Sequence, residues 1–121
     1  MFDRDQASKG LGIELLDARE GQARVRMTVT AAMVNGHDMA HGGYVFLLAD
    51  TAFACACNSH GPVTVAAGCD INFLRPARLG DELEAVATER ALSGRNGIYD
   101  VTVSRGGDVV AEFRGRSRVV R

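Results

Sequence analysis

Hydrophobic positions along the chain follow two periods, and the change of period separates strands from one helix. Over residues 22–30 they alternate, with Ala23, Val25, Met27 and Val29 on one face and Arg24, Arg26, Thr28 and Thr30 on the other, as in a half-buried strand. Glu20-Gly21 supplies the turn into it. Before that, residues 2–8 can make a short helical turn, and residues 13–16 form a short apolar segment. Over residues 45–57 the alternation disappears and only Asp50 and Thr51 are polar. A helix beginning near Gly42-Gly43 and running to Asn58 would be apolar round most of its circumference, the pattern of a buried helix. Gly61-Pro62 terminates it. Four further strands are expected at residues 63–74, 82–92, 98–104 and 109–120, separated by turn residues such as Arg75-Pro76, Leu79-Gly80-Asp81 and Gly94-Arg95-Asn96-Gly97.

Short connectors between long consecutive strands predict an antiparallel meander, and a single buried helix inserted ahead of it has to lie on that sheet. The expected fold is therefore α+β: a curved antiparallel sheet wrapped round one central helix, in one domain covering residues 1–121. An apolar content of 46% supports a real core at this length. A net charge of −1 gives no field suited to nucleic acid or an anionic membrane, so an anionic substrate would need local arginines. No run reaches the roughly 18 apolar residues of a membrane span. The acidic opening Met1-Phe2-Asp3-Arg4-Asp5-Gln6 lacks the regions of a signal peptide, which makes the cytoplasm the expected address. Three cysteines make no disulfide framework, and Cys55 and Cys57 are expected as small core residues.

Asp50 is the reason to expect chemistry. A lone charge on a buried helix costs several kcal/mol unless it is paired or hydrogen-bonded, and such groups are either satisfied structural acids or used ones. Gly43, at the helix start, would let a ligand approach backbone N–H groups that have no helical partner, where the helix dipole favours an oxyanion. Gly43 and Asp50 share a helical face but stand about 10 Å apart along the axis, too far to serve one reacting carbon. A two-fold dimer with antiparallel helices resolves this, with the Gly43 end of one helix facing Asp50 of the other.

Asn35 reads either as a turn former with Gly36 or as a holder of a carbonyl or water. His41 reads as a brace for the loop carrying Gly42 and Gly43. The segment His37-Asp38-Met39-Ala40-His41 resembles a zinc-protease helix motif, but glycines on both sides make it a loop, and no metal site is expected. Apolar flanks raise a thiol pKa, which argues against a cysteine nucleophile, and adjacency of Ser59 and His60 does not supply triad geometry. Arg75, Arg78 and Arg95 sit at strand ends, where arginines either grip phosphates or, as isolated surface arginines usually do, stay solvated. Arg114, Arg116 and Arg118 share one strand face, expected to be the outer one.

The run His41-Gly42-Gly43, Phe46, Leu48, Asp50, Ala52 and Ala54, followed by Phe73-Leu74-Arg75-Pro76, resembles the hotdog-fold acyl-CoA thioesterases, and within them the phenylacetic acid degradation thioesterases. The resemblance extends from about Asn35 to the C-terminus. It implies a five- to six-stranded antiparallel sheet round a long central helix, a homodimer with shared active sites joined edge to edge, and a homotetramer of two dimers. It also implies an acyl-CoA substrate, phenylacetyl-CoA and its hydroxylated relatives or a medium-chain acyl-CoA, with no cofactor beyond the CoA of the substrate. Asp50 maps onto the catalytic acid, Gly43 onto the amide that polarises the thioester carbonyl, Asn35 onto the polar partner across the site, and His41 onto the motif histidine. Substrate contacts are expected from Gly42, Phe46, Leu47, Thr51, Ala54, Arg75, Arg95 and Asn96. Where some relatives carry a Ser or Thr that positions water, this chain has Ala66-Ala67-Gly68, leaving Thr51 and Asn35 as candidates. A hydratase would call for a His and acid pair that His41 and Asp50 do not match. A non-catalytic acyl-CoA binding or sensing module is the alternative, although the residues ahead of Asn35 leave no room for a DNA-binding domain.

Overall fold

A computed structural model describes residues 1–120. A 3-10 turn at Phe2–Arg4 leads into a short helix, α1 (Gln6–Gly10), and then into the hairpin β1 (Glu14–Arg19) and β2 (Gln22–Thr28). The two-residue turn of that hairpin needs a left-handed backbone at Gly21, whose φ is 75°. The long helix α2 (Gly42–Cys57) comes next, and β3 (Thr64–Phe73), β4 (Glu82–Ser93), β5 (Asn96–Arg105) and β6 (Asp108–Val119) complete the chain.

The six strands form one antiparallel sheet in the order β1-β2-β4-β5-β6-β3. The expected meander is present only as β4-β5-β6. Strand β3 does not join it next to β4: it crosses to the far edge and pairs with β6 alone. Its composition explains the position. β4 and β5 bury alternate side chains, Leu83, Ala85 and Ala87 on one and Tyr99, Val101 and Val103 on the other, so both belong in the centre. β3 offers only the half-buried Cys69 and Ile71 to the core and leaves Val65 and Phe73 exposed.

Helix α2 packs on the concave face, closer to β2, β4 and β5 than to β3 and β6. Small residues make that approach possible. A Cβ on Gly115 would lie 2.8 Å from the Phe53 ring, and Phe53 fills the space between Tyr99 and Phe113 with ring centroids 5.6 and 5.7 Å away. Val45, Leu48, Ala49, Ala52, Phe53, Cys55, Ala56 and Cys57 are buried, but α2 is not buried all round as its composition predicts. Gly43, Phe46, Leu47, Asp50 and Ala54, spaced as one helical stripe, keep partial exposure. The Asn58 carboxamide anchors the far end, donating to Ala54 O at 2.9 Å and Thr64 O at 3.1 Å while accepting from Thr64 N–H at 3.0 Å.

Candidate active site

The loop before α2 is built to aim its first turn. Asn35 Oδ1 accepts from His37 N–H at 2.8 Å and Met39 N–H at 3.3 Å, and Asn35 N–H donates to Met39 O at 2.7 Å. This is the turn-forming role open to an Asn-Gly pair, and it leaves the Asn35 NH2 group as the end directed elsewhere. Ala40 N–H and His41 N–H are tied to Ala77 O and Met33 O, both at 2.8 Å. The segment between His37 and His41 is therefore loop, with Asp38 at φ 59° and His41 as the N-cap of α2, so its two imidazoles share no helical face.

His41 braces the helix start in a specific way. Its Nδ1 accepts from Gly43 N–H at 2.9 Å, in the sense of an ordinary hydroxyl or carboxylate cap but with an imidazole nitrogen as the acceptor. The Gly43 amide expected to face a ligand is thus already bonded. The neighbouring Gly42 N–H has no partner among the described residues. Gly42 lines a cavity of about 370 Å³ together with Asn35, Met39, Val45, Phe73 and Arg75. A Cβ on Gly42 would come 3.1 Å from the Phe73 ring, so the absence of a side chain lets that ring pack against the start of α2.

Asp50 is on the partly exposed stripe of α2, outside that cavity. None of the described residues gives it a hydrogen bond or a cation; burial first, and the Asp5 carboxylate second, raise its pKa above the ordinary aspartate value. Cys69 on β3 feels the Asp50 charge, and Phe46 packs edge-on against Phe113 of β6 at 5.5 Å, so the stripe looks toward the β3 side of the sheet. Leu47 and Ala54 flank Asp50 on the same stripe.

Other expected residues are dispersed. Arg75 donates to Val109 O at 2.8 Å beside the cavity. Arg95 and Asn96 lie at the opposite end of the sheet, by the start of β3, around a smaller cavity of about 90 Å³ with Cys57, His60 and Tyr99. Thr51 is buried, with its hydroxyl 2.7 Å from Ser8 Oγ and 2.9 Å from Leu47 O, so it faces α1 and not a bound water. Cys55 and Cys57 are buried thiols pushed up to about 11, unlike nucleophiles. Arg114 and Arg116 lie on the outer face, paired with Asp100 and Asp70.

Two groupings escape a reading of the sequence. Ser8 and Asp5 reach α2 across 43 residues of separation between Ser8 and Thr51, a contact with no local signal. His60, Tyr99 and Glu89 converge as well: His60 Nε2 is 2.6 Å from Glu89 Oε1, and Tyr99 OH donates to the same oxygen at 2.8 Å.

A six-stranded curved antiparallel sheet with one long helix on its face is the architecture of a hotdog fold, and comparison with known proteins agrees. Residues 37–112 match the family described as the thioesterase superfamily. Acyl-coenzyme A thioesterase PaaI of Escherichia coli is 50% identical over 118 residues, which cover 97% of this chain and 84% of that protein. The structure of the E. coli PaaI protein from the phenylacetic acid degradation operon superposes with a TM-score of 0.98 at 48% identity, covering 100% of this chain and 88% of that one. A Streptococcus mutans protein bound to acetyl CoA superposes with a TM-score of 0.85 at 27% identity, covering 89% and 88% of the two chains. This chain belongs to the thioesterase superfamily, has the hotdog fold and is a thioester hydrolase.

Proposed function

We propose that the protein hydrolyses acyl-CoA thioesters, with aryl-acetyl groups such as phenylacetyl and hydroxyphenylacetyl, or medium-chain acyl groups, as the acid part. The observation that carries this reading is Asp50: a partly exposed, uncompensated carboxylate on an otherwise apolar helix, turned toward the open edge of the sheet. The likeness to the E. coli acyl-coenzyme A thioesterase supports the CoA half of the substrate.

The geometry favours a site shared between two copies. Within one chain, the Gly42 cavity excludes Asp50. Among the described residues β3 has no neighbour beyond its outer side; it is ten residues long, with Val65 and Phe73 exposed, a template for a second β3. Gly42 adjoins Phe73 at one end of β3, and Arg95 adjoins Thr64 at the other through the pairing of Thr64 with Val119. An antiparallel β3 pair related by a two-fold axis brings Asp50 of the partner subunit toward this cavity, and Arg95 and Asn96 of the partner subunit to its rim. Arg75 and the partner subunit's Arg95 then flank the phosphates of CoA, while Phe46, Leu47 and Ala54 border the acyl group. Two such dimers pair into a tetramer.

In the reaction, the thioester oxygen accepts from the free Gly42 N–H at the positive end of α2, with the Asn35 NH2 group as a second donor. His41 occupies the Gly43 amide and so selects Gly42. Asp50, made more basic by burial, takes a proton from water as the water oxygen attacks the carbonyl carbon; the C–S bond then breaks and the CoA thiolate leaves. Direct attack by Asp50 gives a mixed anhydride that water opens. A thiolate leaves readily, so neither route needs a strong general acid.

Release of free CoA from phenylacetyl-, hydroxyphenylacetyl-, medium- and long-chain acyl-CoA tests the reading. Turnover of the aryl and medium-chain members is expected. Tight binding of one thioester with hydrolysis of none would instead support the sensing module.

A further inference from the structure

The loop that carries Gly42 leans on the connection between β3 and β4, residues 74–81. Ala40 N–H donates to Ala77 O at 2.8 Å, and the Arg78 guanidinium reaches Asp38 O at 3.5 Å. Pro76 and Ala77 also line the cavity that contains Gly42. The two ends of the connection are tied by backbone: Leu74 and Arg75 N–H donate to Val110 O, and Gly80 N–H donates to Val29 O. Between them Pro76 has no N–H to give, and the side chains of Arg105 and Asp81 take over. Arg105 Nη1, from the end of β5, donates to Pro76 O at 3.0 Å and to Asp81 Oδ2 at 2.9 Å. The same Asp81 oxygen accepts from Arg78 N–H at 2.8 Å. One nitrogen therefore joins both sides of the bend that presents Ala77 O. Arg114 makes a useful contrast, since its two bonds, at 2.7 and 2.9 Å, both go to Asp100 on the outer face of the sheet and touch no loop.

We propose that Arg105 is a positioning residue for the reaction: its Nη1 fixes Pro76 and Asp81, and through Ala77 O it sets where Gly42 N–H points. The inference rests on Gly42 N–H being the donor to the thioester oxygen. A slightly misaimed donor loses most where charge develops on that oxygen and little in the ground state, so the effect falls on kcat before KM.

Arg105→Met keeps a long apolar stem and removes both bonds. Arg105→Lys offers an ammonium with three hydrogens in place of the one nitrogen that makes them. Asp81→Asn keeps an acceptor for Arg78 N–H and removes the charge facing Arg105. The experiment measures kcat and KM on the best substrate of the acyl-CoA panel for these three variants, Arg114→Met, Gly42→Pro and the Gly42→Pro/Arg105→Met double variant, with a thermal melt for each. Arg105→Met is expected to lower kcat about tenfold with KM within about twofold of wild type. Arg105→Lys should recover most of that loss, Asp81→Asn should show a smaller loss in kcat, and Arg114→Met should keep the wild-type kcat. In the Gly42→Pro background, where the donor is already gone, Arg105→Met should change kcat by less than about twofold. The same tenfold loss in that background, or in Arg114→Met, overturns the inference. So does a wild-type kcat in Arg105→Met or, if that variant is unfolded at the assay temperature, in Asp81→Asn, with Gly42→Pro impaired. A wild-type kcat in Gly42→Pro overturns the assignment of Gly42 beneath it.

Discussion

Helix α2 has polar groups around its C-terminal end and others along its first half, and the two sets differ in how much hydrogen-bonding capacity remains open. At the C-terminal end, His60, Tyr99 and Glu89 have the residue types of a catalytic relay, but they are closed on one another. One Glu89 oxygen serves both partners, and the His60 hydrogen bond is the main reason that the Glu89 pKa lies below its ordinary value. Ser59 beside them is spent on backbone, donating to Ala56 O and accepting from Gly21 N–H. Toward the other end, Asp50 has no donor, and Gly42 N–H has no acceptor among the described residues. Chemistry is expected where capacity is left open, since a substrate must supply the missing partner.

Substitutions that close the open cluster should therefore stop the reaction, and those that open the closed one should cost only stability. The largest effect is expected from Asp50→Asn: turnover of acyl-CoA should fall by orders of magnitude with affinity nearly intact, as read by separate kcat and KM values. Turnover within tenfold of wild type would remove Asp50 from the chemistry. Gly42→Pro comes next. Proline fits the first position of a helix, and His41 at φ −59° and ψ 133° has the backbone that a following proline requires, so the change deletes the N–H while placing a Cβ 3.1 Å from the Phe73 ring, which must shift slightly to admit it. A fall in kcat of about 10²- to 10³-fold is expected for one oxyanion donor.

Smaller effects separate the clusters by stability. Glu89→Gln should destabilise by about 1–3 kcal/mol in a denaturant titration, through weakened charge-assisted bonds to His60 and Tyr99, and leave kcat in place. A tenfold drop in kcat would make the closed cluster part of the chemistry. The two carboxylates also respond to acid with opposite signs. Glu89, with its folded pKa lowered, contributes stability that is present above its unfolded value and lost as pH falls through the folded one. Asp50, with its folded pKa raised, detracts from stability at neutral pH, and that penalty is relieved as it protonates. Thermal melts should thus show Asp50→Asn more stable than wild type at neutral pH, with the difference shrinking under acid.

Much of this was legible in the sequence, and the failures share one cause. The alternation of residues 22–30 and the helix over the apolar run around Asp50 are legible because each pattern lies within one element, although the run overstates how fully that helix is buried. β1 was legible only as a short apolar segment, since as an edge strand it has mostly exposed side chains and little alternation. The crossing of β3 to the far edge, the reach of Ser8 to Thr51 and the convergence of His60 on Glu89 depend on partners far along the chain. At the site, Gly42 and Gly43 are equivalent by sequence. The His41 ring distinguishes them by taking one amide and leaving the other.

The central claim is that one working site needs Asp50 from one chain and Gly42 from another, and subunit complementation tests it most directly. Asp50→Asn and Gly42→Pro chains, each inactive alone, are refolded together in equal amounts and assayed for CoA release. Random two-fold pairing makes about half of the dimers mixed, each with one intact site, so activity should return to about a quarter of wild type. A mixture no more active than its two components would contradict the shared site.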